Sequence, residues 1–213
     1  MPDGLDWDGV QRHLVSLVPA REPEMRGMEA DAAATGFPII GPAAGQVCYQ
    51  IARIAMARRV FELGSGYGYS TAWFARAVRE NGGGEVFHAV WDEALSMRAR
   101  NHLAQLGLAD LVRFHVGEAV AALAAAEGAF DLIFNDIDKQ GYPDSLPVIE
   151  AKLRPGGVLI ADNALFHGRV FEDADQTPAT RGVREFVRRL TTDPGWITSV
   201  LPVRDGLLVA IRR

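Results

Sequence analysis

The stretch from Arg59 to Thr71, Arg59-Val60-Phe61-Glu62-Leu63-Gly64-Ser65-Gly66-Tyr67-Gly68-Tyr69-Ser70-Thr71, constrains the fold more than any other part of the chain. An apolar run of strand length breaks into three alternate glycines, and a helix-compatible segment follows at once. Glycine adopts positive φ without penalty and has no Cβ, so the backbone can turn sharply and come close to a ligand. Ser70 reads as the N-cap of the following helix, whose free amides then point back at whatever sits on the loop. Strand, glycine turn and helix in immediate succession open a parallel α/β sheet that carries a nucleotide-type cofactor on its first loop.

The spacing narrows the cofactor. Dinucleotide sites use G-x-G-x-x-G, in which the third glycine lets the helix pack on the strand. Here the pattern is E-x-G-x-G-x-G, with Glu62 two positions before the first glycine. An acid there suits a cofactor carrying an ammonium group and a sulfonium, and suits a pyrophosphate poorly. A glycine turn that only joins strand to helix has the same local sequence, so the motifs downstream decide between the two.

From Arg59 onward strand and helix signals alternate. Strands are predicted over 60–63, 85–91, 112–116, 130–135 and 157–161, with helices over 71–79, 93–106, 119–126 and 142–153. Such alternation gives a parallel sheet covered on both faces, and right-handed crossovers bring every strand C-terminus to one edge. After Asn163 a turn-rich loop leads to a helix over 181–190 and two strands, 196–203 and 206–211. These are separated by Arg204-Asp205-Gly206, and Asp-Gly between apolar runs signals a hairpin. Before Arg59 a short amphipathic helix is predicted over 10–18 and another helix over 43–57.

Composition excludes several classes. The 213 residues are enough for one domain with a full core, and a formal charge of −5 leaves no electrostatic footprint for DNA or RNA. Arg184, Arg188 and Arg189 fall at helical spacing and read as a solvated face. A single cysteine, Cys48, rules out an intrachain disulfide and a cysteine-cluster zinc site. Met1-Pro2-Asp3-Gly4-Leu5-Asp6 lacks the basic-then-apolar order of a signal peptide, and no apolar run is long enough to span a bilayer. The expectation is a cytoplasmic protein with no membrane partner.

Two further motifs end predicted strands: Asn135-Asp136-Ile137-Asp138-Lys139 and Leu159-Ile160-Ala161-Asp162-Asn163. Adjacent strands would bring Asp136, Asp162 and Asn163 together beside the glycine loop. Three oxygen ligands without His or Cys suit Mg²⁺, Mn²⁺ or Ca²⁺. Asp and Asn are also ordinary turn residues, and one such motif alone would be read that way. Two of them at neighbouring strand ends favour a site.

The residues Glu62 to Ser70, Asp136-Ile137-Asp138-Lys139 with Tyr142, Arg154-Pro155-Gly156-Gly157 and Asp162-Asn163-Ala164-Leu165-Phe166-His167-Gly168 resemble the cation-dependent class I O-methyltransferases. These are the caffeoyl-CoA and catechol O-methyltransferase type, which use S-adenosylmethionine (SAM). The similarity runs from about Gly41 to the C-terminus. It implies a Rossmann-like class I methyltransferase, with a mostly parallel seven-stranded sheet ending in an antiparallel hairpin. By position, Glu62, Gly64, Ser65 and Ser70 would hold the methionyl end of SAM, with Gly66 and Gly68 completing the loop. Ala119, after Glu118, would meet the adenine, and Asp138 would also touch the cofactor. Asp136, Asp162 and Asn163 would bind the divalent cation, Mg²⁺ first among the candidates. Lys139 would help deprotonate a small hydroxylated acceptor, although it also reads as a solvated loop lysine. The resemblance further implies a homodimer.

Three positions depart from the family pattern. Val90 stands where an acid grips the ribose hydroxyls, and a valine accepts no hydrogen bond. Asp92, two positions on, is the nearest substitute. Glu118 replaces an Asp, and His167 replaces a substrate-facing Asn. A nicotinamide-dependent oxidoreductase and a cofactor-binding protein without catalysis are the alternatives; the glycine spacing, Val90 and the terminal hairpin argue against the first.

Overall fold

The structure, a computed structural model, describes residues 6–213; the N-terminal stretch read above for a signal peptide lies almost wholly outside them. Three helices come first: α1 (Trp7–Ser16), α2 (Pro23–Thr35) and α3 (Gly41–Ile54). The sheet strands are β1 (Arg59–Leu63), β2 (Glu85–Val90), β3 (Val112–Val116), β4 (Phe130–Asn135), β5 (Leu153–Ala161), β6 (Trp196–Leu201) and β7 (Leu207–Arg212). The connecting helices are α4 (Tyr69–Glu80), α5 (Glu93–Gln105), α6 (Ala119–Ala125), α7 (Tyr142–Lys152) and α8 (Pro178–Thr192). The strands lie in the order β3-β2-β1-β4-β5-β7-β6. β1 to β5 run parallel, and β7 pairs antiparallel with both β5 and β6. This is the expected mostly parallel seven-stranded sheet with its antiparallel hairpin.

Near-continuous apolar strands are the mark of a sheet buried on both faces. Val60, Leu132, Phe134 and Ile160 pack on one side with Met28 of α2, Cys48 of α3 and Trp73 and Phe74 of α4. Phe61, Ile133, Leu159 and Leu208 pack on the other with Leu123 of α6, Ile149 of α7 and Phe186 of α8. No helix among the described residues is long and apolar enough to cross a membrane.

The differences from the predicted elements have local causes. α2 gives no clear helical signal in the sequence: it buries only Met25, Met28 and Ala32, a narrow stripe among acidic residues and alanines. β2 stops at Val90, leaving Trp91 outside the strand, and β5 starts four residues early because Leu153 pairs with Phe130 across an irregularity in β4. Ser70 is not the N-cap of α4. Gly68 takes that place at φ 92°, a left-handed conformation, and a Cβ there would sit 2.9 Å from the Ala99 Cβ of α5. Ser70 therefore lies inside the first turn. The hairpin connection spans residues 202–206, longer than Arg204-Asp205-Gly206, with Arg204 at φ 53° and Gly206 at φ 85°.

Candidate active site

Strand register assembles the site. Leu63 pairs with Ala89 on one side and Asn135 on the other, and Asn135 pairs with Ala161. The residues that follow these positions leave the sheet together at one edge. β1 and β4 are adjacent although the chain visits β2 and β3 between them, so this edge is the switch point at which open α/β sheets bind ligands. A cavity of about 900 Å³ lies there, walled by the glycine loop, Val90, Asp92 and Ala119, the Asp136–Gln140 turn and the Asp162-Asn163 end of β5. Phe37 to Ile40 and Phe166-His167 close its upper rim.

The glycines are required chiefly by the protein's own packing. Gly64 sits at φ 87°, and a Cβ on it would fall on the Asp136 carbonyl. Gly66, at φ 51°, meets only the Phe37 ring at 3.3 Å. Ser65 Oγ accepts from the Ala89 amide at 3.1 Å, and the Gly64 and Ser65 amides donate to the Ala89 carbonyl, so the loop is stitched to the end of β2. Gly64, Ser65, Gly66 and Ser70 line the cavity. Glu62, just behind that wall, is fully buried, and neither carboxylate oxygen has a hydrogen-bond partner. Burial pushes its pKa up to about 7, which the Ser70 and Thr71 groups only partly offset.

The cofactor positions downstream divide. Val90 and Asp92 both face the cavity, and Asp92 also caps α5, its Oδ1 accepting from the Leu95 amide at 3.0 Å. Ala119 and the exposed Asp138 line the cavity as well. Glu118 does not line it; its carboxylate caps α6 by accepting from the Val120 and Ala121 amides.

At the carboxylate end each residue expected to bind a cation already has a partner. Lys139 Nζ donates to Asp136 Oδ1 at 2.6 Å, to the Ile137 carbonyl at 3.2 Å and to the Tyr142 hydroxyl at 3.0 Å. With 13% of its side chain exposed, Lys139 is not the solvated loop lysine. Arg204 donates to Asp162 Oδ2 at 2.7 Å, and Asp162 Oδ1 is buried without a partner. Burial and then the Asp136 carboxylate raise the Asp162 pKa, against the pull of Arg204 and Lys139. Asn163, at φ 57°, donates through Nδ2 to Asp205 Oδ2 at 2.8 Å. The buried Tyr142 hydroxyl reaches the Asn135 and Asp162 carbonyls and so clamps the ends of β4 and β5.

Three contributors were not visible in the sequence. Arg204 and Asp205 read as turn residues, yet Asp205 is buried and also accepts from the His167 amide at 2.6 Å. His167 itself is at φ 54°, with an exposed ring on the cavity rim. The helical spacing of Arg184 predicts a solvated position. Its guanidinium instead donates to the carbonyls of Arg169, Val170, Glu172 and Asp175 and folds the loop over α8. Arg188 and Arg189 do lie on the surface, paired with Glu185.

A seven-stranded sheet of this order, with a glycine loop and two acidic strand ends at its switch point, defines a class I methyltransferase architecture. The sequence model of the family described as O-methyltransferase matches residues 25–213. The chain belongs to that family; it is an O-methyltransferase. It is 28% identical to a catechol O-methyltransferase of Niastella koreensis, over 96% of this chain and 97% of that one. An O-methyltransferase from Bacillus cereus in complex with S-adenosylhomocysteine (SAH) superposes with a TM-score of 0.86 at 27% identity, covering 97% of this chain and 98% of that one. An O-methyltransferase of tomaymycin synthesis from Streptomyces achromogenes, solved with SAM, gives 0.86 at 26%, covering 100% and 99%. The oxidoreductase alternative is thereby set aside.

Proposed function

We propose that this chain transfers the methyl group of SAM to a hydroxyl of a small, catechol-like acceptor. The observation that carries the reading is the single cavity whose walls include both the glycine loop and the Asp136, Lys139 and Asp162 cluster. A buried, unpaired Glu62 behind the loop would, once ionised, supply negative potential where a cofactor bearing an ammonium and a sulfonium would sit. The sulfonium already provides a good leaving group, so the protein's task is to hold the acceptor oxygen in line with the methyl carbon and to favour its ionised form.

The acceptor body has a place beside the cofactor cavity. A second cavity, of about 740 Å³, is lined by Trp7, Val15, Pro42, Leu165 and Phe171, and His167 and Arg204 border both cavities. An apolar ring lodged there would put a polar edge at Arg204. Lys139, with all three N–H groups matched to acceptors, acts as an ammonium that fixes Asp136, not as a free base.

The divalent cation implied by the family resemblance fits this arrangement poorly. Its donors converge, but Asp136 and Asp162 each already face a protein cation. Adding a dication would leave positive charge in excess beside a sulfonium even with the neighbouring buried Asp205 counted, so no step is routed through one. We further propose a homodimer, by analogy with the family; light scattering on the purified protein tests it.

Calorimetric titration with SAH and with NAD⁺ tests cofactor choice: SAH binds and NAD⁺ does not. Transfer of labelled methyl from SAM to 3,4-dihydroxybenzoate tests the reaction. Binding of SAH with no transfer to any of a panel of vicinal diols would favour a non-catalytic cofactor-binding protein.

A further inference from the structure

The cation cluster holds a feature that the resemblance does not account for. Arg204 stands in the left-handed region at φ 53°, where a side chain other than glycine is disfavoured. Such a conformation persists only where the surroundings hold it. Two contacts do so here. The Arg204 amide donates to Gln11 Oε1 of α1 at 2.7 Å, and the guanidinium donates to Asp162 Oδ2 at 2.7 Å. The Asp162 side chain is 2% exposed and that of Arg204 31%, so the head group reaches inward from the surface to a buried carboxylate. It lines both the cavity beside the glycine loop and the apolar cavity next to it.

Charge and geometry agree. Two carboxylates, Asp136 and Asp162, each directly contact a cation, Lys139 and Arg204, and a third, the buried Asp205, accepts from Asn163 beside them. Lys139 has no N–H left over, whereas a guanidinium has five donors in a fixed fork, only one of which is used on Asp162. Arg204 is therefore the one cation of the pair with donors free for a ligand oxygen.

We propose that Arg204 replaces the divalent cation in this chain: its guanidinium neutralises Asp162, binds the acceptor oxygen as an oxyanion, and makes methyl transfer independent of metal. The proposal rests on the methyl-transfer reading above. The acceptor hydroxyl releases its proton to solvent as Arg204 binds the phenolate. A lone pair on that oxygen forms the new C–O bond while the S–CH₃ bond breaks. The bonding pair stays on sulfur, and the sulfonium becomes the neutral thioether of SAH.

The test uses the full chain, stripped with EDTA, as wild type, Arg204→Gly and Arg204→Lys. Glycine suits φ 53° without strain, so Arg204→Gly retains the fold, which unchanged SAH affinity by calorimetry verifies. Mn²⁺ is titrated into each protein with SAH present and followed by electron paramagnetic resonance. Wild type and Arg204→Lys leave Mn²⁺ free, and Arg204→Gly binds it. Turnover of 3,4-dihydroxybenzoate by wild type is the same with and without EDTA. In Arg204→Gly it falls by about 10- to 100-fold in EDTA, the loss expected for a charged hydrogen bond, and recovers in part with Mn²⁺. Stoichiometric micromolar Mn²⁺ binding by wild type, or loss of its turnover in EDTA, overturns the proposal. So does an Arg204→Gly protein that binds no Mn²⁺. Failure of wild type to bind SAH would instead strike the methyl-transfer reading itself.

Discussion

Glu62 links sequence, energetics and function at a single carboxyl group. Its folded pKa of about 7 lies above the ordinary value of 4.5, because burial disfavours the charged form. Between those values the unfolded chain has lost a proton that the folded apo protein keeps. Stability is therefore full below about pH 4.5 and declines as pH rises through 7, a penalty on the order of 3 kcal/mol. The urea midpoint of the apo protein should fall from pH 5 to pH 8, and that slope should flatten in Glu62→Gln. SAM binding runs the other way. On the proposed reading the ionised carboxylate attracts the cofactor, so affinity should strengthen as pH rises through 7, with proton release near pH 6.5. Calorimetry in two buffers of different ionisation enthalpy measures that release; heats independent of buffer would dissociate Glu62 from binding. Val90 gives a second residue-scale expectation. It faces the cavity and offers no acceptor to a ribose, so Val90→Glu should tighten SAH binding by about 1.5–3 kcal/mol, the value of a charge-assisted hydrogen bond. Unchanged or weaker binding would show that the ribose lies away from the end of β2.

At the scale of elements, the loop between β5 and α8 is held by polar contacts more than by packing. Arg184 donates to four of its carbonyls, and Asp175 accepts from Arg169 and Thr177 and lies well below the ordinary carboxylate range. Truncating Arg184 leaves those carbonyls to water and removes the loop's anchor on α8. Arg184→Ala should raise amide exchange across residues 169–177 and raise KM for the acceptor several-fold, while SAH affinity changes little. Exchange confined to α8 would mean that the arginine serves the helix and not the loop. The N-terminal helices act on the site in the same indirect way. Tyr67 of the glycine loop donates to the Met28 carbonyl of α2 at 2.9 Å, and Gln11 of α1 holds the Arg204 amide.

Across the whole molecule, the cavity is framed by every layer: the strand ends, the loops before α4 and α5, the first residue of α6, and the Phe37–Ile40 segment ahead of α3. A ligand that binds only this assembled form should stabilise the molecule as a unit. SAH at about 100 times its Kd contributes about 2.7 kcal/mol, which for a chain of this size raises Tm by about 5–10 °C. Differential scanning calorimetry checks this, and the increment should scale with the logarithm of SAH concentration. A shift confined to one of two resolved transitions would show that the sheet does not unfold cooperatively.

The sequence by itself determined the layered α/β order, the terminal hairpin, the glycine loop and the arrival of Asp136, Asp162 and Asn163 at one edge. Each of these follows from local periodicity or from motifs at strand ends, and parallel topology leaves those ends nowhere else to go. Tertiary structure decided which partners those groups meet. That Gly68 and not Ser70 starts α4 depends on how closely α5 approaches, which no local pattern encodes. Glu118 became a helix cap because the amides of its own first turn lie nearest to it. Arg204 and Asp162, 42 residues apart, meet because β7 lies beside β5, and nothing in Arg-Asp-Gly distinguishes a cation that lines the cavity from a turn residue. Chemistry at strand ends is legible where the residue types are unusual for their setting. It is hidden where an ordinary turn residue acquires its role from a partner brought near by the sheet.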